Sequence, residues 1–134
     1  MINSRDIDQL TPEMANNCRK FIALCKENTI DVIITSTYRD FESQNALYAQ
    51  GRTTKGRKVT NAKGGQSYHN YRIAFDFVPT YDGKAIWDDA FLIGLCGQLG
   101  KQCGLEWAGD WKRFTESLHL QLKNVNLKML MATL

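Results

Sequence analysis

Proline is scarce in this sequence, with two in 134 residues, and histidine is equally rare. So few prolines beside ten glycines exclude a collagen-like or proline-rich disordered chain. Also missing is any apolar run near the roughly 20 residues of a membrane-spanning helix. Met1–Asp8 is polar and charged, with no apolar signal segment behind it. The expectation is a protein made in the cytoplasm without a signal peptide. Charge of one sign is not in excess: 17 Lys+Arg against 14 Asp+Glu leave +3, too mild to argue a nucleic-acid partner, and none is expected. What remains is ordinary, 43% hydrophobic and 23% charged. A chain of this size predicts a single domain over 1–134 with one core and no repeats.

Cysteine is present but sparse, and its spacing limits its use. Cys18 and Cys25 are seven apart, as are Cys96 and Cys103, and seven helical residues rise about 10.5 Å. Neither pair can bridge within its helix or chelate one metal. Without an export signal the thiols are expected reduced, as small core residues, with a cross-helix disulfide as the alternative.

Thr11-Pro12-Glu13 reads as a helix start, with a capping hydroxyl, proline at the first position and an acid in the first turn. Met14, Cys18, Phe21, Ile22 and Cys25 then recur at helical spacing, predicting an amphipathic helix over 12–27. The β-branched run from Ile30 to Thr37 predicts a strand. A second helix is capped by Asp40 and stopped by Gly51; a third is capped by Asp88 and stopped by Gly104. Short strands are expected at 73–78, 105–107 and 118–122, with a turn at Asp82-Gly83. Between them, Arg52–Ser67 carries Arg52, Lys55, Arg57, Lys58 and Lys63 and no acid. Such a loop is either a solvated basic segment or one wall of a cleft for an anionic or polymeric substrate.

Each histidine has a carboxylate near it in sequence. Asp76 is the only charge in Ile73–Val78, and a carboxylate buried in a strand is costly unless it is paired or holds a metal. Strand parity sets Asp76 opposite Phe75 and Phe77, and His119 with Gln121 opposite Leu118, Leu120 and Leu122. If these strands are neighbours, Asp76 and His119 share a face. A catalytic zinc site takes three N/O ligands and leaves one position open, which His69, Asp76 and His119 can supply. Glu116, three residues before a ligand histidine, is placed as a base that is not itself a ligand. The plainer reading of each histidine is a satisfied core or surface residue.

The run Ser67-Tyr68-His69-Asn70-Tyr71-Arg72-Ile73-Ala74-Phe75-Asp76 resembles the Ser-x-His-x-x-Gly-x-Ala-x-Asp signature of the zinc D-alanyl-D-alanine and L-alanyl-D-glutamate peptidases. The likeness continues through Thr37-Tyr38-Arg39, Gln44–Arg52, Val59–Ser67, Asp82-Gly83-Lys84, Ile86-Trp87-Asp88, Trp107–Trp111 and Glu116-x-x-His119. In this order and register the segments are similar to the catalytic domain of bacteriophage endolysins of the L-alanyl-D-glutamate peptidase type. The resemblance implies the fold shared with the Hedgehog signalling domain: α+β, a small mostly antiparallel sheet flanked by helices.

It further implies one Zn2+ per chain on His69, Asp76 and His119, with Glu116 as general base and Arg39 on the scissile carbonyl oxygen. Ser67, Asp110 and Trp111 would line the substrate cleft, the tryptophans being equally suited to the core. Arg72 stands where the signature has glycine, so a backbone conformation open to glycine is expected to be lost or shifted. Leu118 stands where relatives carry proline or an aromatic residue.

The implied activity is zinc-dependent cleavage of the L-alanyl-D-glutamate bond of peptidoglycan stem peptides, as a phage lysis enzyme. The alternatives are a D-alanyl-D-alanine carboxypeptidase of the same fold and an inactive wall-binding relative. Made in the host cytoplasm, such an enzyme acts on the wall after release through a holin-type pore. A monomer is expected, with no separate wall-binding domain. The tail Val125–Leu134 carries apolar residues and two lysines close by, enough for weak membrane contact, but it is expected to pack back on the domain.

Overall fold

In the computed structural model, which describes residues 1–134, the first long helix starts where its signals stand. Thr11 accepts a hydrogen bond from the Met14 amide at 3.3 Å, and Pro12 opens α1, Pro12–Glu27. Its buried stripe is Met14, Ala15, Cys18, Phe21 and Cys25. Strand β1 spans Asp31–Ser36, and α2, Phe41–Ala49, is capped by Asp40 accepting from the Ser43 amide at 2.8 Å. After the long loop come β2 (Ala74–Tyr81), β3 (Lys84–Ala85), α3 (Ala90–Gln102), β4 (Leu105–Trp107), β5 (His119–Leu122) and the short α4 (Leu127–Met131). The cap of α3 is Asp89, not Asp88; its carboxylate accepts from the Leu92 amide at 3.0 Å. Starting there puts Ile93, Cys96, Gly97 and Gly100 on the buried side.

The sheet runs β1-β2-β5-β4 with β3 paired to β2, and every pairing is antiparallel. This is the α+β architecture expected, with β2 at its centre. Period-two alternation sends Phe75 and Phe77 towards α1, where Phe21 packs on both, ring centroids 5.6 and 5.0 Å apart. Leu10, Cys96, Leu105 and Leu120 complete one apolar cluster with them. The same alternation sends Asp76 to the opposite face.

All four thiols are free, with Cys18, Cys25 and Cys96 buried and Cys103 half-buried, so no cross-helix disulfide forms. The tail touches the fold at two points, while none of α4 is buried and Met129 stays exposed. Tyr68 donates its hydroxyl to the Val125 carbonyl at 2.8 Å, and Leu134 lies over Gly65. No helix is long and apolar enough to cross a membrane.

The basic loop is tied down rather than loose. Arg52 stacks on Tyr48, 3.9 Å from the ring centroid, and donates to the carbonyls of Tyr48 and Thr60 and to Asn61. Gln44, almost fully buried, donates to the Ala62 carbonyl at 2.8 Å. Gly51 adopts φ +78°, and a Cβ there would stand 2.6 Å from the Lys58 amide nitrogen, so the loop crosses directly over this residue.

Candidate metal centre

Three elements bring the candidate ligands together. His69 sits on a short 3-10 turn, Tyr68–Tyr71, whose first amides are satisfied by Ser67. Ser67 Oγ accepts from the His69 amide at 3.3 Å, and the side chain of Asn70 accepts from the Ser67 amide in return. The other end of the Asn70 amide donates to the Arg39 carbonyl at 2.9 Å, joining the histidine turn to the segment after β1. Asp76 and His119 are directly paired across β2 and β5. Strand register alone therefore delivers two of the three groups to one face.

Arg72 closes the histidine turn in the left-handed region, at φ 65° and ψ 28°. The glycine-like backbone is kept, contrary to the expectation that it would be lost. What holds a non-glycine residue there is its side chain: the guanidinium lies 3.7 Å from the Tyr38 ring centroid and donates to Gln9 at 2.9 and 3.1 Å.

One oxygen is the hub of the cluster. Asp76 Oδ1 lies 3.1 Å from His69 Nε2 and 2.9 Å from His119 Nδ1. The outer ring nitrogens are fixed as well, His69 Nδ1 at 2.8 Å from the Thr37 carbonyl and His119 Nε2 at 2.9 Å from Gln121 Oε1. All four ring nitrogens thus face oxygen acceptors, although a neutral imidazole has a single N–H to donate. Two imidazoles protonated on the outside and turned inward with their lone pairs, beside a carboxylate, form a pocket for a cation.

The three ligand atoms lie within 4.8 Å of one another. Two imidazole nitrogens and one carboxylate oxygen are the donor set of a catalytic zinc site with one open position, so the residues fit the metal. Burial alone would raise the Asp76 carboxyl, but the two imidazoles hold it far below the ordinary carboxylate range. For His119, burial works downward, yet the hydrogen bond and charge of Asp76, with Glu116, carry it above its usual value.

Glu116 reaches the cluster from the β4–β5 connection, its Oε2 3.7 Å from His119 Nδ1 and its side chain half exposed. Its amide bonds to the Ala108 carbonyl at 3.2 Å. Trp107 secures the next residue, donating its indole N–H to the Ser117 carbonyl at 2.8 Å. Arg39 borders the same cleft and is itself oriented, donating to Gln44 at 3.0 Å and Ser36 at 3.1 Å. Burial lowers its pKa, against the charges of Asp76 and Glu116.

Ser67 and Trp111 line the cleft, whose volume is about 730 Å³, and Trp111 stands 5.9 Å from the His119 ring while donating to Glu106 at 2.8 Å. Asp110 does not border the cleft and pairs with Lys101 at 2.8 Å. A second cavity of about 670 Å³ adjoins the first and shares Val59, Thr60, Ala62, Gln66, Trp111, Thr115 and Glu116 with it.

The sequence reading missed Gln121 and Thr37 as partners of the histidines. Gln121 carried a signal, since residue i+2 on a strand shares the face of residue i. Thr37 acts through a backbone carbonyl, which no side-chain pattern reveals.

The description "VanY: D-alanyl-D-alanine carboxypeptidase" belongs to a family model that matches residues 7–94, a range that holds Arg39, His69 and Asp76. The chain is 42% identical over 122 residues to the peptidoglycan L-alanyl-D-glutamate endopeptidase CwlK of Bacillus subtilis (strain 168), covering 84% of this chain and 73% of that protein. It is 29% identical over 119 residues to the L-alanyl-D-glutamate peptidase of Listeria phage A118, covering 87% of this chain but 39% of the phage protein. The solved Serratia marcescens L-Ala D-Glu endopeptidase ChiX superposes with a TM-score of 0.68 at 16% identity, over 91% of this chain and 89% of that one, a likeness of fold.

Proposed function

The chain belongs to the VanY D-alanyl-D-alanine carboxypeptidase family, and from that premise we propose that it is a zinc-dependent endopeptidase of peptidoglycan, cutting stem peptides between L-alanine and D-glutamate. The observation that carries this reading is the position of Glu116, beside the His69–Asp76–His119 cluster and bordering both cavities. A carboxypeptidase releasing one terminal residue needs a cleft closed just beyond the scissile bond. Here a second cavity adjoins the first, with Glu116 in the wall of both, which supports a substrate extending on both sides.

His69, Asp76 and His119 would hold one zinc ion, which would supply Lewis acidity to the attacking water and the scissile carbonyl. Glu116 takes the proton of the attacking water and later hands it to the departing amine. Arg39, held by Gln44 and Ser36, directs its remaining N–H groups at the carbonyl oxygen as negative charge develops there. Ser67 contributes by capping the turn that aims His69 and by bordering the cleft, and Trp111 forms a wall beside His119. Asp110, paired with Lys101, steadies the turn before Trp111 rather than touching substrate.

One relative is a phage L-alanyl-D-glutamate peptidase, and we propose a role in host lysis for a monomeric catalytic unit over 1–134, made inside the host and released to the wall through a holin-type pore. The test is mass spectrometry of purified peptidoglycan digested by wild type and by Glu116→Ala, with bound metal measured in both. New L-alanine carboxyl and D-glutamate amino ends from wild type alone, with zinc in both proteins, are expected. Release of free D-alanine would transfer the reading to the carboxypeptidase.

A further inference from the structure

Part of the second cavity's wall is made of residues that the mechanism leaves unused. Lys58, Asn61, Phe114, Leu127 and Met131 border it and do not border the first cleft. Its construction is deliberate in two respects. The 58–62 stretch is strapped to α2 through Arg52 and Gln44 and laid over Gly51, so Lys58 is the cation of an anchored wall. On the facing side Phe114 stands at φ 53°, a conformation costly for an aromatic residue, with its side chain largely exposed.

Polarity of the bound chain follows from the proton path. The carbonyl of the scissile bond faces Arg39 within the first cleft, while the amine must lie at Glu116 to receive its proton. Glu116 borders the second cavity, so the amine half of the substrate continues there. That half begins with D-glutamate, which is joined onward through its side-chain carboxyl and keeps a free α-carboxylate. The glycan and L-alanine half bears no charge. Lys58 is the only cation lining either cavity besides Arg39.

We infer that the second cavity is the subsite for the acidic, amine-side half of the stem peptide, with Lys58 the counter-ion of the D-glutamate α-carboxylate. The inference rests on the endopeptidase reading, and it makes the enzyme discriminate between D-glutamate and its α-amide, an uncharged form of the same residue. Leu127 and Met131 give α4 a part in the reaction as the apolar floor under the following residue.

The test pairs two peptides, L-alanyl-γ-D-glutamyl-diamino acid with a free α-carboxylate and the same peptide carrying an α-amide. Wild type should favour the acid about fivefold in kcat/KM, the size of one partly exposed charge contact. Lys58→Ala should bring the ratio near one, and Lys58→Glu should invert it. Both peptides are also titrated against Glu116→Gln, where binding alone reads the preference. Equal handling of acid and amide by wild type, or a loss in Lys58→Ala that is the same for both, overturns the subsite. If wild type cuts neither peptide the endopeptidase reading fails, and the titration still decides the subsite.

Discussion

Gln121 Oε1 accepts the Nε2 proton of His119 at 2.9 Å, from the same face of the same strand. This holds the Nε2 proton in place and leaves Nδ1, beside Asp76, as the ring atom free to give up its proton to a metal. Gln121→Leu should weaken zinc affinity roughly 10- to 100-fold, the usual effect of losing a ligand's outer hydrogen bond. Gln121→Glu, which still accepts, should retain most of it. Competition with a chelator measures both; equal affinities for wild type and Gln121→Leu would show that the glutamine does not orient the ring.

Glu116 Oε2 stands 3.7 Å from His119 Nδ1, and its loop is held through the Glu116 amide and the Ser117 carbonyl rather than by its carboxylate. Glu116→Gln should therefore bind zinc as wild type does and unfold at a similar temperature, while kcat falls about 10²- to 10⁴-fold. Loss of zinc together with activity would recast Glu116 as a ligand.

Arg72 supplies a test of how a strained turn is retained. Arg72→Ala keeps the left-handed backbone but loses the Tyr38 stack and the bonds to Gln9, and should cost about 1–2 kcal/mol in urea unfolding. Arg72→Gly loses the same contacts while removing the backbone penalty, so it should lie closer to wild type. Alanine and glycine variants of equal stability would mean the φ of 65° carries no strain.

These cases mark what the sequence made legible. Caps with a local mechanism were readable, as at Thr11 and Asp40, because a hydroxyl or carboxylate bonds an amide three residues on. Parity is local too: it puts Asp76 and His119 on one face provided β2 and β5 are neighbours, and the pairing meets that condition. At Asp88 the expected cap is displaced by one residue, because the neighbouring Asp89 offers the same carboxylate and bonds the Leu92 amide. The Thr37 carbonyl on His69 and the second cavity, which brings 58–62 beside Leu127 and Met131, depend on residues far apart in the chain, which no local pattern encodes. Arg72 misled because a glycine position is read from backbone cost alone, whereas distant Tyr38 and Gln9 offset that cost.

The pKa directions fix the pH behaviour of the metal-free protein. Asp76 is depressed on folding, so its contribution is complete above the ordinary carboxylate value near ~4 and is lost as pH falls through its lowered value. His119 is raised, so its contribution is complete below about 6.5 and is lost as pH climbs through its elevated value. Thermal stability without zinc should peak at roughly pH 4–6.5 and decline towards pH 8. With zinc the alkaline trend should reverse, because protons compete with the metal for the imidazoles. Metal-free melting temperatures that rise between pH 6 and 8 would contradict this.

Trp107 connects packing to catalysis through two glycines. A Cβ on Gly97 would stand 2.3 Å from its indole, and one on Gly109 2.1 Å, so the ring is clasped between α3 and the turn after β4. In that slot its N–H reaches the Ser117 carbonyl, next to Glu116. Gly109→Ala must displace the ring, because the clash is with a rigid indole rather than a flexible chain end, and should cost about 1–3 kcal/mol. The ligands stand on β2, β5 and the histidine turn, none of which carries Gly109 or the Trp107 ring, so zinc affinity should change less than kcat. Glu116 loses its exact reach, and kcat should fall more than tenfold, the usual penalty for a misplaced catalytic group, with KM nearly unchanged. A Gly109→Ala enzyme with full kcat would mean that Trp107 serves the core alone and that the Glu116 loop is held by the Ala108 carbonyl.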